Sequence, residues 1–222
     1  MVAAREAFLD GDHYRPLRST ITALAAEHAP RPSRLVVDLV GGTGHYLSPV
    51  LDALPISWGL TVDLSAAALR RASRTHQRAA ALAADVWGPL PLARRTAGVV
   101  LSVFGPRNIA EIDRILDADG ILVLATAGPE HLQELRDRLG MIGVDPRKTD
   151  RLRHALAGFT PIVEDTVRWR LALQHDEVRA LAAMGPGSHH LDVGQRERAV
   201  DALPDLTGIT AVINVAVLRR RR

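Results

Sequence analysis

The sequence predicts an α/β fold of the Rossmann-like type: a mostly parallel sheet with helices on both faces, closed by an antiparallel C-terminal strand pair. Three observations lead there. From Arg34 onward, short apolar runs alternate with helical stretches, an order that calls for right-handed crossovers and a sheet buried on both sides. A glycine-rich turn, Gly41-Gly42-Thr43-Gly44, directly follows the first apolar run, at the place where open α/β sheets bind ligands. Two longer runs, 163–173 and 209–218, read as strands with helices between them, and fold analogy makes them the antiparallel ending.

The elements follow in order. Residues 5–28 read as one or two helices, interrupted at Gly11 and Pro16. Leu35-Val36-Val37-Asp38-Leu39 is a buried strand, followed by the glycine turn and a helix near 45–54. Residues 58–62 form the second strand and 66–75 its helix; 81–84 is a weaker third strand. Residues 98–103 are the fourth, with a helix over 108–116 and a turn at Asp119-Gly120. Residues 121–126 are the fifth, and 130–139 a helix. The expected division is an N-terminal helical segment (1–33), a cofactor-binding core (34–148) and a C-terminal part (149–222) that completes the sheet and shapes the substrate pocket.

Composition narrows the function. The chain has 222 residues and is 47% hydrophobic, enough for one large core. No apolar run reaches the roughly 18 residues of a membrane span, and the first residues lack the layout of a signal peptide. Cysteine is absent, which excludes disulfides and thiolate metal sites; the expected location is the cytoplasm, with no membrane partner. Adjacent His189-His190 lies in a Gly/Pro/Ser loop and reads as solvated, so no metal is expected. Net charge is +3, and Lys148 is the only lysine. Arginine suits phosphate, but an Ala- and Arg-rich composition also reflects codon usage, so charge alone is a weak pointer to nucleic acid.

The chemistry centres on Val37 to Tyr46. Glycines let backbone approach a ligand closely, and a helix start offers free N–H groups. Asp63 ends the second strand, 25 positions after Asp38, where an acid can accept ribose hydroxyls. Asp85 follows the third strand, where an acid can accept an adenine amino group. The alternative for each is a turn or cap aspartate. Glycines at 41, 42 and 44 do not fit the G-x-G-x-x-G pyrophosphate cradle. They resemble the D-x-G-x-G-x-G pattern of class I S-adenosylmethionine (SAM)-dependent methyltransferases, with Val40 in place of the first glycine. Either Val40 keeps a negative φ, or its bulk weakens cofactor binding.

Three further segments carry a more specific resemblance. Ala4 to Leu17 matches A-R-x-x-F-L-x-x-x-H-Y-x-P-L, Phe104-Gly105-Pro106-Arg107-Asn108 matches a small-Pro segment after the fourth strand, and Ala125 to Leu135 matches A-T-x-G-P-x-H-L-x-E-L. Over nearly its whole length the chain resembles the 23S rRNA guanine-N1 methyltransferases, a family that includes enzymes giving resistance to tylosin-type macrolides. The resemblance implies SAM as cofactor and a 23S rRNA hairpin as partner, with a homodimer allowed. It implies cofactor contacts at Tyr14, Gly42, Thr43 and His131, beside Asp38, Gly44, His45, Asp63, Leu64, Asp85, Val86 and Ser102 around the same turns. Phe104, Pro106, Arg107 and Asn108 would line the pocket for the target base, with Trp87 and Phe104 able to stack on it. Guanine N1 must lose a proton; Asp85, His45 and His131 are near, and no catalytic residue is assigned. Arginines within 147–153 and 168–170 would form a basic face. Family members begin with a cysteine-rich zinc-binding module, and this sequence starts where that module would end. Two other readings stay open: a small-molecule methyltransferase derived from the family, and a non-catalytic paralogue whose SAM site has degenerated at Val40.

Overall fold

Each apolar run of the sequence becomes a strand: β1 Leu35–Leu39, β2 Trp58–Asp63, β3 Ala79–Ala83, β4 Ala97–Val103, β5 Leu116–Ala127, β6 Phe159–Leu173 and β7 Thr207–Arg220. The computed structural model describes residues 2–140, 146–184 and 193–221. The strands make one sheet in the order β3-β2-β1-β4-β5-β7-β6. From β3 to β5 all pairs are parallel; β7 then runs antiparallel between β5 and β6. Central β4 is buried along its whole length, as an apolar run without alternation requires.

The helices are α1 Val2–Asp10, α2 Arg15–His28, α3 Leu47–Ala53, α4 Ala66–Ala72, α5 Ile109–Ile115, α6 Gln133–Leu139, α7 Pro146–Ala155, α8 His175–Met184 and α9 Val193–Asp201. They divide between two faces because successive side chains of a strand point to opposite sides. Val36 joins a core with Leu17, Ile21 and Ala25 of α2 and with Leu47, Val50 and Leu51 of α3. Val37 and Leu39 join the other, with Ile112 and Ile115 of α5, Leu90 and Phe159. Leu17, Ile21 and Ala25 recur every four residues, which gives α2 one apolar stripe facing the sheet.

Four local expectations shift. Pro16 does not break the N-terminal helices; it sits in the first turn of α2, where a missing N–H costs nothing. The break is the turn from Gly11 to Tyr14. The expected turn at Asp119-Gly120 lies inside β5 as an irregularity, where Ala97↔Leu116 is followed by Val99↔Ile121. Helix α6 starts at Gln133 rather than 130, after Leu132 in left-handed backbone. Helix α7 was not foreseen, because its sequence is strongly polar, with Leu152 its one large apolar residue. No helix among the described residues is long and apolar enough to cross a membrane.

Candidate active site

The carboxyl ends of β1, β2 and β4 converge on the glycine turn. Val40 and Gly41 both donate N–H to the Val62 carbonyl, which ties the turn to β2. Gly42 N–H donates to Asp63 Oδ2 at 3.0 Å, while Ser65 N–H donates to Asp63 Oδ1 at 2.8 Å. Asp63, the last residue of β2, therefore ties the glycine turn to Ser65, the residue that caps α4, and the predicted ribose acid is held in place by two backbone donors. Asp38 is 1% exposed, and its carboxylate packs so tightly on Gly41 that a Cβ there would lie 2.3 Å from Oδ2. That contact, rather than a positive φ, requires glycine at position 41.

Of the two alternatives at Val40, negative φ is not the one the turn adopts: its φ is +56°. A β-branched residue there stores roughly 1–3 kcal/mol of strain. Gly105 supplies the room, since a Cβ built on it would meet Val40 Cβ at 2.8 Å. The glycine missing from the turn is thus matched by one in the facing loop.

A second group forms where α2, β4 and the β5–α6 turn meet. The Tyr14 hydroxyl lies 3.4 Å from His131 Nε2, and the His131 Nδ1 accepts the Val212 N–H at 3.2 Å. That bond leaves the ring proton on Nε2, toward Tyr14. Burial, with the Arg136 charge behind it, holds His131 down to about 4, so the ring is neutral. Phe104, at φ +59° and 37% exposed, stacks on His131 and meets the edge of Tyr14. Trp169 packs against Tyr14 and donates its indole N–H to the His13 carbonyl. Sequence reasoning missed Trp169; nothing near it in the chain signals that β6 returns to the N-terminal helices.

The remaining predicted residues are placed as follows. Ser102 is buried beside Leu39 in the β1–β4 register. Leu64 is 71% exposed and Val86 buried. Asp85 is exposed and accepts the Trp87 N–H within its own turn. Asn108 caps α5 by accepting the Glu111 N–H, and its amide donates to the Trp87 carbonyl. Arg107 donates to the Gly105 carbonyl; Pro106 lies between them. Thr43 and His45 open instead onto a cleft of about 820 Å³ that Arg18, Ser48, Arg71 and Arg74 also line. Burial first, then Arg18 and Arg5, lower His45 to about 4.

Among the described residues, the predicted site holds four buried polar atoms without a hydrogen-bond partner: Asp38 Oδ2, His45 Nε2, Ser102 Oγ and Arg107 Nε. Each such atom costs about 1–3 kcal/mol, which a polar ligand would offset. With left-handed backbone at Val40, Gly42 and Gly44, the arrangement fits a nucleoside cofactor carrying polar groups at both ends. Among the described residues no cluster of His, Cys, Asp or Glu is suited to a metal, and His189-His190 lies outside them. Part of the expected basic face is already neutralised: Arg168 pairs with Glu130, and Arg153 with Asp150 at 3.3 Å. The side chains of Arg147 and Lys148 lie outside the described residues.

No protein-family model matches the chain. It is 42% identical over 222 residues to the 23S rRNA (guanine(748)-N(1))-methyltransferase of Streptomyces fradiae, covering 99% of this chain and 79% of that one. It is 43% identical, with the same shares covered, to a Micromonospora griseorubida protein provisionally named a 23S rRNA (guanine-N(1)-)-methyltransferase. A Bacillus halodurans protein provisionally named a methyltransferase superposes with TM-score 0.66 over 92% of this chain and all of the other, at 15% identity. That likeness shows the class I methyltransferase fold. The length and level of identity to the first two show that the chain belongs to the family of SAM-dependent 23S rRNA guanine-N1 methyltransferases.

Proposed function

We propose that the chain transfers the methyl group of SAM to N1 of a guanine in 23S rRNA. The observation that carries this is 42–43% identity across the whole chain to relatives named for that reaction, together with acids fixed at the ends of β1 and β2 around the glycine turn. SAM supplies a methyl already activated by its sulfonium, so the protein's task is to hold and orient.

The residues divide that task. Asp63 would accept the ribose hydroxyls, with Leu64 and Val86 flanking the adenine and Asp85 accepting its amino group. Tyr14, Asp38, Gly42, Thr43, Gly44, His45, Ser102 and His131 would surround the rest. Phe104, Pro106, Arg107 and Asn108 would receive the guanine once it leaves its stack. Among the three possible proton acceptors, His131 has both ring nitrogens engaged. Asp85 and His45 keep free lone pairs, and His45 is neutral at pH 7. The same reading makes a 23S rRNA hairpin the partner, the cytoplasm the place of action and macrolide tolerance a consequence in the host.

The test is transfer of a tritiated methyl from SAM to unmodified 23S rRNA, followed by reverse transcription. A methyl on N1 blocks base pairing, so incorporation should coincide with a single extension stop at one guanine. A chain that binds SAM but labels no RNA would overturn the substrate assignment.

A further inference from the structure

Helix α1 carries a cation toward the glycine turn that the expected site residues do not include. Arg5 is half-buried, and among the described residues its Nε is what a Cβ built on Gly42 would meet within 4 Å beyond the adjoining residues, at 3.9 Å. Among the described residues it makes no hydrogen bond or ion pair. Its neighbours do: Glu6 pairs with Arg71 at 2.5 Å, Arg18 with Asp12 at 2.6 Å, and His13 with Glu177 at 2.8 Å. These pairs anchor α1 and the turn after it, which fixes the helix that aims Arg5.

The positive charge is felt across the site. It acts on Tyr14, Asp38, His45 and Tyr46, four groups from three segments of the chain. Yet Asp38, whose Oδ2 is buried without a partner, lies beyond ion-pair distance of it. A guanidinium and a buried carboxyl thus face the glycine turn without pairing with each other. A half-buried guanidinium without an acceptor is costly unless an anion completes it. An α-amino-acid zwitterion has the matching charges: a carboxylate for the guanidinium and an ammonium for the aspartate.

We infer that Arg5 receives the α-carboxylate of the amino-acid end of SAM, and of the product S-adenosylhomocysteine, and so sets the preference for an intact amino acid there. This rests on the reading that the site binds SAM. An arginine is suited to it because its planar donors take a carboxylate in two parallel bonds.

Calorimetric titration compares S-adenosylhomocysteine with its decarboxylated analogue, on the unaltered chain and on Arg5→Gln and Arg5→Lys. Arg5→Gln should lose roughly 10- to 100-fold in affinity for S-adenosylhomocysteine, the range of a hydrogen bond to a charged group. Its affinity for the decarboxylated analogue should stay within about twofold, and Arg5→Lys should recover part of the loss. Equal losses for both ligands, or no loss for either, would overturn the inference while leaving the cofactor site standing. No binding of S-adenosylhomocysteine by the unaltered chain would remove the SAM reading itself.

Discussion

At the residue scale, Val40 and Gly105 form one unit. Gly105→Ala should destabilise the chain by about 1–3 kcal/mol, because its methyl would overlap Val40. Val40→Gly in the same chain should restore most of that loss, and chemical denaturation of the four proteins of the cycle measures the coupling. If the two effects simply added, the contact would not be the cause. Asp38 makes a second prediction. Its pKa is pushed up from 3.8 to about 7, mainly by burial, with Asp63 adding to the rise and Arg5 opposing it. A carboxyl with a raised folded-state pKa binds more protons folded than unfolded between pH 4 and 7, so its contribution to stability falls across that window and is flat above it. Buried, neutral His45 and His131 act the opposite way below about pH 6.5, so the total curve mixes both. The difference between Asp38→Asn and the unaltered protein isolates the carboxyl. In thermal melts of cofactor-free protein, the variant should gain on the unaltered chain from pH 4 to 7 and no further above. The acid and the glycines were legible in the sequence, since spacing along a strand–turn–helix fixes where they fall. The sign of φ at Val40 was not, because it depends on a loop 65 positions away.

At the element scale, α5 shows how a residue expected at the substrate also builds the frame. Asn108 caps the helix and reaches back to the Trp87 carbonyl, while Glu111 accepts the Leu90 N–H and pairs with Arg114. Together they pin the crossover between β3 and β4 against α5. Asn108→Ala should cost about 1 kcal/mol in stability from the lost cap. Exchange of the Glu111 amide should also accelerate, which hydrogen exchange followed by NMR would detect; unchanged protection would show that the cap bond carries little. The strands β1, β2, β4 and β5 were readable from their apolar runs, whereas their order in the sheet was not. Polar α7 was not, since its one large apolar residue, Leu152, is too little to mark a core-facing stripe. The Asp119-Gly120 turn was misplaced for a related reason: turn residues mark a departure from regular pairing, and β5 absorbs one as a bulge.

At the scale of the whole molecule, the expected three-part division becomes a question of cooperativity. We propose that residues 1–33, 34–148 and 149–222 unfold together, because β7 is bonded to β5 from Ile121↔Arg219 to Ala127↔Ile213 and α2 packs into the same core as β6 and β7. Trp169 is the tryptophan set in that junction, while Trp58 and Trp87 are exposed. Fluorescence should therefore report on the junction, and its denaturation curve should coincide with that from far-ultraviolet circular dichroism. An earlier fluorescence transition would mark the C-terminal part as a separate unit. The sheet order has a consequence for how the chain comes to be made. β7 fills the slot between β5 and β6 but is synthesised after both. A nascent chain therefore carries two unpaired strand edges, one on each side of the gap, until its last strand emerges. During that interval the growing protein offers any passing chain the same template that β7 will later claim.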